Sequence, residues 1–199
     1  MIVQKKIFRC ILLLTGCILF LTNLYAQNFD INLLKKINPQ TPNSTVWRGF
    51  SSSSYPLSAS APVSLLAAGF IKKDKSLQHK GWEMVGSLAI NTIVTEGLKY
   101  SINRSRPYEK YPNEVFPYSI ENDGSFPSGH ASMAFATATT LTIEFKKWYV
   151  AVPAYAWAAG VSYSRLYLGE HYPTDILGSA VVGVGSAMLS HWLTKKLLK

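Results

Sequence analysis

The chain has 199 residues, of which 48% are hydrophobic and only 16% charged, and its formal net charge is +9. That length holds one domain with a real core and is short for two; the composition is apolar for a soluble protein of this size. Both cysteines, Cys10 and Cys17, sit near the N-terminus, so a chain shortened past them has no disulfide framework, no thiolate nucleophile and no cysteine-based zinc site.

Residues 1–26 read as a signal peptide or first membrane helix. Lys5, Lys6 and Arg9 form a positive start, Cys10 to Leu21 an apolar stretch, and Leu24-Tyr25-Ala26 a cleavage site before Gln27. Leu14-Thr15-Gly16-Cys17 also has the shape of a lipoprotein signal, but the apolar run continues past Cys17, where a lipoprotein turns polar. Each reading sends the chain to or across a bacterial-type membrane. Cleavage would remove three cations and no acids, taking the charge from +9 to +6. Such an excess fits nucleic acid, an anionic membrane surface or an anionic substrate, and its distribution decides among them.

Residues 27–56 are polar and turn-rich, with Asn38-Pro39, Thr41-Pro42 and the Ser51–Ser54 run, and read as loop or short helices. Residues 57–199 form the main domain. Its first predicted helix is Leu57–Ile71, and the second runs from Trp82 to Asn103 and is stopped by Pro107. A polar loop from Pro107 to Pro127 follows, of a length that is usually functional or disordered. Further helices are predicted over Ser128–Phe145, Trp148–Ser164 and Thr174–Leu193, the last two rich in the small residues that suit close helix–helix approach. No repeat and no strand pattern of period two interrupts them, so the expected fold is an all-α bundle of five to six helices.

Alternate crossings of a membrane would place Lys72–Lys80, Lys146-Lys147 and Lys195–Lys199 on one side. That is the positive-inside distribution, and it accounts for most of the basic excess without nucleic acid. Trp82, Trp148 and Trp192 fall on the same side, where indoles settle at an interface. The competing reading is a soluble, secreted bundle. Leu57–Ile71 and Ser128–Phe145 are at or below the roughly 17–25 residues of a span, and Glu83, Asn91 and Glu96 make the second helix polar. Charge and aromatic placement agree independently and favour the membrane.

Three polar clusters fall at the opposite end. Lys99 and Arg106 lie two helical turns apart on one face, beside Arg104 and Pro107. They are either a solvated helix end matched to its dipole or a point charge and a planar fork for an oxyanion. Pro127-Ser128-Gly129-His130 opens the third helix: Ser128 suits an N-cap, while free N–H groups and Gly129 suit an anion, with His130 able to move a proton near neutral pH. Ser164-Arg165 and His171-Tyr172-Pro173-Thr174-Asp175 supply the third, with Pro173 in a first helical turn and Asp175 four residues after His171, in reach of one imidazole nitrogen.

Together, Lys-x6-Arg-Pro, Pro-Ser-Gly-His and Ser-Arg-x5-His-x3-Asp resemble the three-part motif of the type 2 phosphatidic acid phosphatase family, whose superfamily includes the vanadium haloperoxidases. Every specified position is present, in order, and the resemblance spans Leu57 to the C-terminus. It implies a metal-independent phosphatase without cofactor. In that reading His171 attacks phosphorus, Asp175 orients it, and His130 protonates the leaving alcohol and then activates water. Lys99, Arg106, Arg165, Ser128 and the Gly129 amide bind the phosphate oxygens. No metal is needed, and the remaining His and Asp residues form no separate zinc-like cluster in the sequence. The partner expected is a phosphorylated lipid or a small phosphate ester, with the site facing the periplasm from the inner membrane. A soluble periplasmic acid phosphatase and a vanadate-dependent haloperoxidase are the alternatives, the latter opposed by the short chain; a phospholipid binder without chemistry would need only the cations.

Overall fold

A computed structural model describes residues 29–197; the leader over 1–26 lies outside the described residues. Every regular element among them is helical. A helix over residues 29–37 (α1) is followed by α2 (Thr45–Ile71), α3 (Lys75–Ile102), the single turn α4 (Pro107–Lys110), α5 (Gly129–Phe145), α6 (Trp148–Tyr167) and α7 (Pro173–Leu197).

Local chemistry sets most of these ends. Asp74 caps α3, accepting from the backbone N–H groups of Ser76 at 2.8 Å and Leu77 at 3.2 Å, so this helix starts a full two turns before the expected Trp82. Asn103 and Lys146 close α3 and α5 in the left-handed conformation, at φ 42° and 51°. The larger departure is α2, which begins at Thr45 rather than Leu57 and absorbs the serine run together with Pro56 and Pro62. Ser51, Ser54 and Ser58 recur at helical spacing and are all buried. Composition alone reads that run as loop; facing a partner helix, the same hydroxyls become interior contacts.

The bundle has an inverted polarity. α5 packs against α2, α3, α6 and α7, through Ala131, Ala134, Ala138, Thr137 and Thr140, all buried. Hydroxyl and amide pairs stitch the helices: Thr137 to Ser58 at 2.8 Å, Thr140 to Ser87 at 3.0 Å, and Asn91 and Thr95 to Ser132 at 3.2 and 3.1 Å. Meanwhile Val63, Ile93, Val152, Leu177, Val181 and Met188 are each more than half exposed. Apolar side chains outside and small polar ones within are the arrangement of a bundle solvated by lipid, where small residues and interhelical hydrogen bonds replace the hydrophobic effect. α2 and α7 are long and apolar enough to cross a membrane. Small residues also allow α7 to approach α5 closely: a Cβ on Gly183 of α7 would lie 2.4 Å from the Ser132 carbonyl oxygen and 2.8 Å from the Ala136 nitrogen of α5.

Candidate active site

The antiparallel run of the helices brings the start of α5 and α7, the end of α3 and α6, and the first turns of α2 to one end. All eight residues singled out from the sequence lie there.

Lys99, in the last turn of α3, is almost fully buried; its Nζ donates to the Gly124 carbonyl at 2.7 Å and pairs with Asp123 Oδ2 at 2.8 Å. Arg106, just past the helix, is equally buried and pairs with the same carboxylate through Nη2. Its Nε donates to the Asp123 carbonyl at 3.0 Å, and its Nη1 to the Glu170 carbonyl at 3.0 Å. Arg165, at the end of α6, pairs with the Glu170 carboxylate and donates from Nη1 to Ser51 Oγ at 2.5 Å, while its Nε has no hydrogen-bond partner. Three cations drawn from two helices and a loop thus converge, each held by a carboxylate. Burial raises the Asp123 carboxyl, but the hydrogen bonds and charges of Lys99 and Arg106 outweigh it and hold it at about 2.

Ser128 caps α5; its backbone N–H donates to Ser179 Oγ at 2.7 Å. A Cβ on Gly129 would lie 2.8 Å from the Tyr55 hydroxyl. The same tyrosine packs its ring 4.5 Å from that of His130. His130, Arg165, Glu170, Ser51, Tyr118 and Arg48 line a cavity of about 490 Å³, roomy enough for a phosphate and the first atoms of its alcohol.

His171 is completely buried in the turn before α7. Its Nδ1 lies 2.7 Å from the Ser125 carbonyl oxygen and 3.7 Å from Asp175 Oδ2. A carbonyl can only accept, so Nδ1 carries the proton and Nε2 keeps its lone pair. Burial, then the charges of Arg165, Arg106 and Lys99, push this imidazole well below its usual range against the smaller opposing effect of Ser125, so it is neutral at neutral pH.

The spacing of four between His171 and Asp175 suggested a direct hydrogen bond. Instead, because α7 begins only at Pro173, Asp175 Oδ2 turns back to accept the Tyr172 N–H at 2.8 Å, and Oδ1 accepts from Arg104 Nη1 at 2.5 Å. Asp175 therefore fixes the turn that carries His171, with no direct hydrogen bond to its ring. Arg104 is the hub behind it, bonding also to Thr174 Oγ1 at 2.8 Å and Asp30 Oδ2 at 3.0 Å, and lying 4.0 Å over the Tyr172 ring.

Asp123, Glu170, Ser125, Arg104, Asp30, Ser51 and Tyr55 were not singled out as site residues. Arg104, Ser125 and Glu170 had a signal, standing within two residues of motif positions in Arg104-Ser105-Arg106, Ser125-Phe126-Pro127 and Glu170-His171; the others had none. The long loop is ordered over the site rather than free. Asn38 brackets Phe116, accepting its N–H at 2.8 Å and donating to its carbonyl at 2.9 Å; Tyr118 N–H donates to the Leu168 carbonyl at 2.9 Å, and Ser119 to Glu170 Oε1 at 2.9 Å.

An all-α bundle with apolar side chains outside and with cations, histidines and a buried carboxylate gathered at one end defines the class of membrane-embedded helical bundles with a polar terminal site. A family model described as the PAP2 superfamily matches residues 80–199, and the chain belongs to that family. It is 39% identical over 72 residues to the lipid A 4′-phosphatase of Bacteroides thetaiotaomicron, covering 36% of this chain and 32% of that one. It is 35% identical over 126 residues to the undecaprenyl-diphosphatase of Sulfolobus acidocaldarius, covering 58% and 56%. The matches thus span between about a third and just over half the length of these two curated relatives. In fold, it is similar to Aquifex aeolicus LpxE (TM-score 0.66, 24% identity, 82% of this chain and 95% of that one). It is equally similar to the transmembrane PAP2-type phosphatidylglycerolphosphate phosphatase of Bacillus subtilis (TM-score 0.66, 24% identity, 86% and 87%).

Proposed function

We propose that this protein is a phosphatase that hydrolyses phosphomonoesters or diphosphates of membrane lipids through a phosphohistidine intermediate, with no metal at the phosphorus. The observation that carries the reading is a buried, neutral His171 whose Nδ1 is fixed by a carbonyl beside three buried cations whose present partners are carboxylates, the same charge type as a phosphate.

Nε2 of His171 attacks phosphorus as the bond to the leaving oxygen breaks, and His130, entering the step as imidazolium beside the bound phosphate anion, delivers its proton to that oxygen and is left neutral. In the second step His130 takes a proton from water, the hydroxide attacks phosphorus, and the bond to Nε2 breaks. Lys99, Arg106 and Arg165 exchange their carboxylate partners for phosphate oxygens, joined by the amide of Gly129 and the Ser128 hydroxyl at the start of α5. Asp175, held by Arg104, stabilises the positive charge that His171 gains.

The inverted polarity of the bundle supports a lipid substrate: a headgroup at the interface would reach this end while its chains stay among the exposed apolar side chains. The lysines at the other end support a site facing the periplasm, by the positive-inside rule. The test is His171→Ala in purified protein, assayed for phosphate release from a panel of lipid and soluble phosphates and for trapping of labelled phosphate on the protein. Loss of both with helical content retained is expected; a variant that releases phosphate at the parent rate would overturn the nucleophile.

A further inference from the structure

We infer a second, separate site at the opposite end of the bundle: a divalent transition-metal site of the zinc type, formed by His79, Glu83, Glu144 and His191. The four histidines of the chain divide into two pairs; His130 and His171 belong to the phosphatase site, whereas His79 and His191 each approach Glu83 and Glu144, with Glu83 about 24 Å along α3 from Lys99.

His79 and Glu83 share one face of α3 at a spacing of four, Glu144 comes from the last turn of α5, and His191 from α7. Donor atoms of His79, Glu83 and Glu144 all lie within 4.8 Å of one another. His191 Nδ1 is wedged between both carboxylates, 2.8 Å from Glu83 Oε1 and 3.5 Å from Glu144 Oε1. Tetrahedral zinc with nitrogen and oxygen ligands at about 2.0–2.2 Å sets its donors roughly 3.3–3.5 Å apart, so small side-chain shifts would close the shell.

Two further observations point to a cation. Glu83 is 1% exposed, and its Oε2 is buried with no hydrogen-bond partner, a costly state for a carboxylate inside a bundle. The neighbouring Lys80 has its ammonium placed elsewhere, donating to the Glu144 backbone carbonyl at 2.6 Å and lying 4.6 Å over the Phe145 ring. Two carboxylates therefore converge with one imidazole nitrogen between them. Imidazole and carboxylate ligands without thiolate suit zinc and its first-row neighbours rather than magnesium or calcium, which take oxygen alone. A bound ion would clamp the ends of α3, α5 and α7, the three helices that carry Lys99, His130 and Asp175 at their far ends.

The experiment uses the full chain in detergent, stripped with chelator and titrated with Zn²⁺, with Co²⁺ as a spectroscopic probe. One ion per chain, a raised thermal midpoint and the visible absorption of four-coordinate cobalt are expected. His79→Ala, at an exposed position that the fold does not need, should weaken zinc binding at least tenfold, as should Glu83→Gln. His130→Ala and His171→Ala should leave it unchanged, which separates this site from the phosphatase site. Absence of binding in the folded chain, or binding lost with the catalytic-end variants instead, would overturn the proposal.

Discussion

Replacing Asp123 with alanine removes the carboxylate that Lys99 and Arg106 share, and with it the group an incoming phosphate must displace. The cost of that displacement follows from the carboxyl itself. Its fall from 3.8 to about 2 is equivalent to at most ~2.5 kcal/mol of preference for the charged form. The side chain is half exposed, so solvent screening reduces this to roughly 1 kcal/mol. Vanadate, which copies the charge and geometry of the transferring phosphoryl group, should therefore bind Asp123→Ala about 5-fold more tightly, and the KM for substrate should fall in the same direction. The sign with pH is fixed: a depressed carboxyl stabilises the closed ion cluster above its ordinary range, and that contribution fades as pH falls from 3.8 towards about 2. At neutral pH the competition is complete. The assay is vanadate inhibition of parent and variant at fixed ionic strength. Equal or weaker inhibition of the variant would refute the reasoning and make Asp123 a partner of substrate rather than its stand-in.

Arg104→Gln should lower kcat by about 10- to 100-fold with a smaller change in KM, because Arg104 holds Asp175 and the His171 turn without contacting the cavity that His130 lines; equal kcat in the variant would count against this positioning role. The acid limb of kcat/KM should lie below the usual imidazole range, since His171 is held neutral; stability should correspondingly decline below about pH 6.5, where the unfolded chain takes up the proton that the folded one refuses. A pH profile and parallel melting curves check both. Gly183→Ala should destabilise the bundle by about 1–3 kcal/mol, as its methyl would meet α5 backbone at 2.4 Å; an unchanged thermal midpoint would show that α5 and α7 can separate freely.

The motif residues were legible because each cluster is local: a fixed spacing within one helix turn or one loop places its members together whatever the rest of the chain does. Helix existence was legible for the same reason, through apolar length and the breakers around Pro107 and Pro173. What the sequence could not reveal were partners whose choice depends on how helices cross. Ser51 meets Arg165 across 114 residues, Arg104 meets Asp30 across 74, and Ser125 meets His171 across 46. The Ser51–Ser54 run misled because serine favours loops in water yet serves as interior contact in a polar-cored bundle. His79, Glu83, Glu144 and His191 looked like unrelated residues on three helices for the same reason. The chain alone thus determined the chemistry available, the class of fold and the end of the bundle where its site would form. Only the packing decided that Ser125, not Asp175, holds the His171 nitrogen, and that Asp123 and Glu170 hold the cations, since tertiary contacts are geometric facts with no local spacing to betray them.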